Sequence, residues 1–353
     1  MQWFRPIRMA STLQPVARDL CADPFSERYP RHLSVHQQLL GGRFRFESDS
    51  QALLDLVVAA FGELPSHRLP GSVPELRIEL RLVPERHLPN AAEPPPVQMQ
   101  SGLGLLLGVI NAANYVVISP AQRQALIVVS QDMLEFPYHL RYELIEFAVY
   151  VLATRCLGLV PLHGACVGRE GRGILLLGDS GAGKSTLALH GLLQGLDFLA
   201  EDAVFVQPES LLATGIANYV HVKADGLSLL DSEPARRWIG GSAVIRRRSG
   251  VAKFEADLRR GGGRLAAAPL KLVGAVFASA ELADDPSALL RPIPKEEFVA
   301  RLRANQPYAS EQAGWLPFQQ KLVQTQMHEL RRGAHPRAAV ETLHALLDRP
   351  EAC

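Results

Sequence analysis

The feature that most constrains this chain is Gly178-Asp-Ser-Gly-Ala-Gly-Lys-Ser185, a complete G-x-x-x-x-G-K-[ST] pattern. Its glycines let the backbone fold around a phosphate and aim successive N–H groups at the oxygens. Lys184 adds a mobile positive charge for β- and γ-phosphates, and the Ser185 hydroxyl is a hard oxygen ligand suited to Mg²⁺. A helix starting near Lys184 turns its positive dipole end toward the same anion. The flanks agree. Ile174–Leu177 is a short apolar run, as a buried strand requires, and the segment after Ser185 offers Leu187, Leu189 and Leu193 for helix packing. A bare glycine-rich turn has no need of Lys-Ser after it. The pattern therefore predicts a strand, a phosphate loop and a helix within an α/β fold. Gly178, Asp179, Ser180, Gly181, Ala182, Gly183, Lys184, Ser185 and Thr186 are expected to surround the phosphate.

Two further features fall close by in sequence. Asp197-Phe-Leu-Ala-Glu-Asp-Ala-Val-Phe-Val206 reads as one strand carrying an acidic pair, Glu201-Asp202, with a single short helix between it and the loop. Its apolar flanks argue for burial, where two idle carboxylates would be costly. Adjacent acids there suit phosphoryl transfer: one helps hold Mg²⁺ beside Ser185, and the other orients or deprotonates an acceptor. Upstream, Val160–Val167 reads as a strand containing His163. A lone histidine in an apolar strand is usually structural. Beside a phosphate loop, its imidazole can also contact phosphate or assist proton transfer.

The rest of the chain supplies the frame. Its 353 residues suggest about two domains. Residues 1–40 read as an irregular lead-in. Arg43–Glu47 and Leu76–Val83 alternate like half-buried strands, and Ser50 stands where it could cap a helix through Phe61 that Pro65 and Pro70 end. Asn90–Pro96 is a proline-rich loop, and two or three more strands are expected across 97–130. A helix is predicted over 138–156, and two more over about 318–332 and 336–348 from their apolar stripes. The biased pieces Arg246–Arg248 and Gly261–Arg264 read as solvated loops.

Composition limits the alternatives. Hydrophobic residues make up 47% and charged residues 21%, which argues against a solvated, disordered chain. A net charge of +1 argues against a dedicated nucleic-acid binder. Residues 1–20 contain no continuous apolar run like that of an export signal. The nine apolar residues Gly102–Ile110 fall short of a membrane span, and Glu143, Glu146 and Arg155 interrupt the longer stretch after Tyr142. Four cysteines without C-x-x-C spacing read as reduced thiols, so a cytoplasmic protein is expected.

Taken together, His163-Gly164, the 178–186 loop and Leu199-Ala-Glu-Asp202 resemble, in order and spacing, the C-terminal catalytic domain of the HPr kinase/phosphorylase family. The resemblance implies a P-loop kinase domain of the HPr kinase and phosphoenolpyruvate carboxykinase-like type, preceded by a smaller α+β N-terminal domain. The corresponding division is 1–135 for the N-terminal domain, 136–157 for a connecting helix, 158–317 for the kinase domain and 318–353 for C-terminal helices packed on it. It also implies ATP and Mg²⁺ as cofactors and transfer to a serine-like hydroxyl of a protein, peptide or small molecule. Lys184 would act on phosphate, Ser185, Glu201 and Asp202 on metal, and the acidic pair with His163 at the transferring group. A homo-oligomer is expected on the same ground. The chain departs from the family in having Glu201 where Asp is usual, and it lacks the Glu-x-Arg-Gly signature of the bifunctional enzymes. HPr is therefore not implied as the acceptor. Two other readings remain open: an ATP-binding regulatory or scaffold protein without transfer, and an NTPase or phosphorylase.

Overall fold

The computed structural model describes residues 32–285 and 288–349. These fall into two compact units. One comprises the described residues up to Gln37 with Arg43–Gly62 and Glu75–Leu152; the other comprises Gln38–Gly42, Glu63–Pro74 and the chain from Ala153 onward.

The first unit carries a seven-stranded mixed sheet. Its strands are β1 (Leu33–Leu39), β2 (Gly42–Ser48), β3 (Glu75–Val83), β4 (Gln98–Gly102), β5 (Leu105–Asn111), β6 (Asn114–Ser119) and β7 (Gln124–Ser130), in the order β1-β2-β3-β7-β6-β5-β4. Alternation along β2 and β3 sends Phe44, Phe46, Leu76, Ile78 and Leu80 into the core, beside Leu53, Leu54, Val57 and Phe61 of helix Gln51–Phe61. The segment 97–130 holds four strands rather than two or three, and β1 lies inside the stretch read as irregular. Ser50 precedes the helix but makes no side-chain cap, and Gly62 ends the helix before either proline. A continuous helix spans 137–157, with a wide turn over Leu140–Glu146.

The second unit is built on strands β8 (Val160–His163), β9 (Ala165–Arg169), β10 (Arg172–Leu177), β11 (Asp197–Ala200), β12 (Ala203–Gln207), β13 (Leu212–Gly215), β14 (Tyr219–Val222), β15 (Ala243–Arg246), β16 (Ala252–Asp257), β17 (Leu270–Leu282), β18 (Leu290–Pro292) and β19 (Gln326–Arg332). The main sheet follows the order β11-β9-β10-β17-β13-β12-β8, with β19 on β17 and β18 on β19; β14-β16-β15 form a separate small sheet. The apolar run Ile174–Leu177 is central, pairing parallel to β17 with Leu177 opposite Phe277 and antiparallel to β9. Helix Lys184–Leu193 lays Leu187, Ala188 and Leu192 into the same core as Ile174, Leu176 and the inner face of helix Pro336–Asp348.

Three readings of the sequence are corrected here. The expected strand 160–167 breaks at Gly164, where the chain leaves its pairing with β12 and joins β10. A side chain at Gly164 would stand 2.7 Å from the Leu176 carbonyl oxygen. The expected strand 197–206 breaks at Glu201-Asp202, since β11 pairs with β9 whereas β12 pairs with β8 and β13. The C-terminal region is helical over 318–322 but not on to 332. The helix ends at Leu322, and Gln326–Arg332 is a strand parallel to β17. The free edge of a long buried strand offers a full ladder of hydrogen bonds, which outweighs a weak helical spacing of apolar residues. Of the cysteines, Cys156 and Cys166 are free; Cys21 and Cys353 lie outside the described residues.

His67 pins the Glu63–Pro74 segment within the second unit. Its Nε2 lies 2.8 Å from the Ala266 carbonyl and its Nδ1 2.7 Å from the Thr214 hydroxyl. A carbonyl only accepts, so Nε2 donates to it, while the Thr214 hydroxyl can donate to Nδ1 of the neutral ring. Burial pushes the imidazole below its ordinary value, more than the Ala266 bond restores it. The contribution of this clip is present above pH ~6.5 and is lost as pH falls below that value. His67→Phe leaves a hydroxyl and a carbonyl unpaired and should cost about 2 kcal/mol or more at pH 7.5. Urea unfolding should also show less stability lost between pH 7.5 and 5.5 in the variant than in the parent.

Candidate phosphoryl-transfer site

The loop leaves the end of β10 at Gly178, whose φ is +127° and where a Cβ would stand 2.6 Å from the Ala278 carbonyl oxygen. Only glycine fits such a position. The chain then turns through Asp179–Gly183, with Ala182 N–H donating to the Asp179 carbonyl, and enters the helix at Lys184. Lys184 is buried, and its Nζ donates to the Gly178 carbonyl at 2.6 Å and the Asp179 carbonyl at 3.1 Å. Burial pushes its pKa below the ordinary value, while Asp202, Asp179 and Glu201 pull the other way. Ser180, Gly181, Ala182, Gly183, Ser185 and Thr186 line a cleft of about 680 Å³, together with Lys184, His163, Glu201 and Asp202.

The break at Gly164 and the break at Glu201-Asp202 meet: Gly164 N–H donates to the Asp202 carbonyl at 3.2 Å, and His163 lies opposite Ala203 in the β8–β12 pairing. His163 Nδ1 thereby comes within 3.5 Å of Asp202 Oδ1, and its side chain is 54% exposed. Asp202 Oδ2 faces Arg247 Nη1 at 3.4 Å. Burial raises the Asp202 pKa, but Arg247, His163, His221 and Lys253 together outweigh it and hold the carboxyl below its ordinary value. Asp202 is therefore an ionised carboxylate with its oxygens at the cleft.

Glu201 faces a different environment. Its side chain is 4% exposed, and Oε2 lies 3.2 Å from His221 Nδ1, whose Nε2 lies 3.4 Å from Glu255 Oε1. Carboxylates only accept, so a proton on each ring nitrogen serves both contacts and makes His221 a cation between two acids. Burial depresses the His221 pKa, but the bonds from Glu201 and Glu255 overcome it and raise it.

The sequence reading did not identify His221 and Glu255 as site residues. By alternation they read as the polar face of their strands, opposite Val220, Val222 and Ala256 on the core face, so no local signal marked them. Arg247, read as part of a solvated loop, lies at the β15–β16 turn and reaches Asp202, while Arg246 and Arg248 are exposed. Lys253 also lines the cleft. Gln306 carried no local signal at all. It is buried, accepts from His163 N–H at 2.8 Å and donates to the His163 carbonyl at 2.9 Å and to Asn305 Oδ1 at 2.7 Å. Asn305 Nδ2 in turn lies 3.4 Å from Asp179 Oδ1, which links the histidine bend to the phosphate loop.

Among the described residues, no three His, Cys, Asp or Glu side chains form a metal cluster. Mg²⁺ beside a nucleotide does not require one, because phosphates and water supply most of its ligands. Ser185 and Asp202, hard oxygens lining one cleft, fit that ion; the Glu201 carboxylate is taken up by His221. No helix among the described residues is long and apolar enough to cross a membrane.

No family model matches the chain. It is 33% identical over 117 residues to an HPr kinase/phosphorylase of Ralstonia pickettii, covering 31% of this chain and 34% of the relative. It is 34% identical over 127 residues to one of Burkholderia lata, covering 34% and 36%, and 39% identical over 75 residues to one of Mycoplasmopsis pulmonis, covering 20% and 24%. The matches thus span about a third or less of these relatives' length, and over that length the chain is HPr-kinase-like. A solved structure titled as the Hpr(Ser) kinase/phosphatase of Coxiella burnetii aligns at 14% identity and a TM-score of 0.26, covering 53% of this chain and 87% of that one.

Removing the cation from the acidic sandwich should be costly. His221→Ala leaves Glu201 and Glu255 buried without it, and we expect about 3 kcal/mol or more of lost stability near pH 6. The difference from the parent should shrink as pH rises through the raised folded-state pKa of His221, the opposite trend to His67. Urea titrations of both proteins across pH 6–9 would check both the size and the direction.

Proposed function

We propose that this protein is a Mg-ATP-dependent kinase that transfers the γ-phosphoryl group to a hydroxyl, serine-like in character, of a protein, peptide or small molecule. The observation carrying this reading is the pairing of a buried Lys184 in a glycine loop with an ionised Asp202 held in the same cleft between His163 and Arg247. Phosphoryl transfer asks for alignment, charge neutralisation and a place for one proton, and little else of the protein.

Each residue has a part in that chemistry. The loop N–H groups and the helix N-terminus bind the phosphate chain. Lys184 exchanges two loop carbonyls for phosphate oxygens, a stronger, charge-assisted partner. Ser185 and one carboxylate oxygen of Asp202 would hold Mg²⁺, which would supply positive charge to the phosphate oxygens and leave the other Asp202 oxygen for the acceptor. Asp202 accepts the hydrogen bond of the acceptor hydroxyl and orients its lone pair. As the acceptor O–P bond forms and the bond from phosphorus to the β–γ bridging oxygen breaks, the hydroxyl proton passes to Asp202. Arg247 and Lys253 sit at the same cleft, where they offset charge on the transferring group. Gln306 holds His163 by both backbone groups, so the histidine keeps its place beside Asp202. Glu201, locked to His221, shapes the bend rather than meeting the acceptor.

Incubation with γ-labelled ATP and candidate acceptors tests the reading: label in a product supports it, label only in free phosphate makes the protein an NTPase, and no turnover leaves a nucleotide-binding protein. Lys184→Ala should weaken MgATP binding about tenfold or more, the equivalent of roughly 1.5–3 kcal/mol per charged hydrogen bond. Wild-type affinity by calorimetry in the folded variant would remove the loop assignment. Asp202→Asn should keep MgATP binding within about tenfold and lower transfer by roughly 10²-fold or more. Unchanged transfer in that variant would refute the part given to Asp202.

A further inference from the structure

The seven-stranded sheet of the first unit ends on β4. Among the described residues β4 pairs only with β5, and every residue of Gln98-Met-Gln-Ser-Gly102 is exposed. Such an edge is a row of unpaired N–H and C=O groups that accepts another strand unless charge, proline or a covering segment blocks it. Edges in the second unit are blocked in these ways: β8 contains Pro161, Arg264 and Ala266 bond to Phe198 of β11, and β15 ends at Arg246. β4 has none of them. No charged residue occurs from Pro94 to Gln122, and the prolines 94–96 stop short of the strand. Two exposed apolar side chains stand here instead, Met99 in the strand and Leu103 at the hairpin tip.

The hairpin fixes which backbone groups point outward. Gly102 and Leu105 flank a two-residue loop whose Leu103 and Gly104 have φ of +52° and +76°, the primed turn that follows the twist of paired strands. Residues flanking such a loop exchange both backbone bonds, and the pattern alternates from there. Gly102, Gln100 and Gln98 therefore bond to β5, while Ser101 and Met99 direct their N–H and C=O groups away from it. Gln100 lies midway between the two outward-facing residues. A second copy running antiparallel about a twofold axis at Gln100 places Met99 opposite Ser101 of the partner subunit, and the reverse, each pair exchanging both backbone bonds.

The two Gln100 residues then form the close pair on the axis, with Cα atoms about 4.5 Å apart. A residue on a twofold axis meets itself. A charged side chain there repels its own copy, whereas an amide, donor and acceptor at once, can bond to it. A foreign strand imposes no such condition, so a neutral amide at the one self-facing position singles out a second copy. Met99 shares its face of the sheet with Gly108 and the buried Val116, so the pairing also continues that apolar face from one sheet into the next. We propose that β4 is a homodimer interface, in which two copies of this chain pair antiparallel about Gln100 and their N-terminal sheets become one. The inference concerns the first unit alone and does not depend on the kinase reading.

Sedimentation equilibrium of the full chain tests it. The parent should associate as a dimer at micromolar concentration. Gln100→Lys sets two cations on the axis and Gln100→Glu two anions, and each should raise the dimer dissociation constant about tenfold or more. An equimolar mixture of the two variants should associate at least as well as the parent, because each axis then holds one charge of each sign. Melting scans check that both variants fold. Gln100→Cys should also form a disulfide-linked dimer under mild oxidation that the parent does not form, and this cross-link decides the matter if a charged variant fails to fold. A monomeric parent overturns the proposal. So does association that both charged variants leave unchanged, which puts the contact on another surface, or a mixture that associates no better than either variant alone, which moves the axis away from Gln100.

Discussion

A backbone hydrogen bond from Gly164 N–H to the Asp202 carbonyl extends the β8–β12 pairing into the two chain bends on which the site is built. Each bend lies where a strand changes partners, β8 to β9 in one case and β11 to β12 in the other. A strand running straight through either point would carry His163 or Asp202 off along a regular ladder. Glycine at position 164 is what permits the first bend, because the Leu176 carbonyl leaves no room for a side chain. Once the bends are joined, His163 and Asp202 have no other place to go than beside each other. The phosphate loop then reaches them through Asp179, Asn305 and Gln306.

The charges of the cleft divide by environment. Glu201 and Asp202 are neighbours in sequence, yet successive side chains at a bend diverge, and the two carboxylates acquire different surroundings. Glu201 turns inward to a cationic histidine, where a buried carboxylate is tolerable because it is paired. Asp202 turns to the cleft, where Arg247 and His163 keep it ionised without removing it from contact with a ligand. The small sheet β14-β16-β15 supplies His221, Glu255, Lys253 and Arg247, so one accessory element contributes both the inward anchor and the outward cations.

Much of this was legible locally. The strand, glycine-rich turn and helix across 174–193 declared themselves through an apolar run, glycines at fixed offsets and a helix-compatible segment after them. The buried strands around them were visible as apolar runs, and the acidic pair and His163 stood out as polar residues within those runs. Where local pattern was weaker, the reading failed for identifiable reasons. Gln326–Arg332 has apolar residues at helical spacing, but the edge of β17 recruits it as a strand. Arg247 sits in a run of three arginines, and only the hairpin geometry selects one of them to face Asp202. Gln306 precedes a proline at the end of a helix and looks like any polar cap until it is seen against His163.

Amino-acid order by itself therefore determined the glycine-rich turn at 178–183, the buried strand before it and the helix that Lys184 opens. These depend on contacts within a few residues, which spacing records directly. Tertiary structure decided which carboxylate meets the cleft, which arginine opposes it, and that a glutamine 143 residues distant holds the histidine in place. Those outcomes come from strand partners and turns that bring remote segments together, and no local pattern encodes where a strand will change its neighbour.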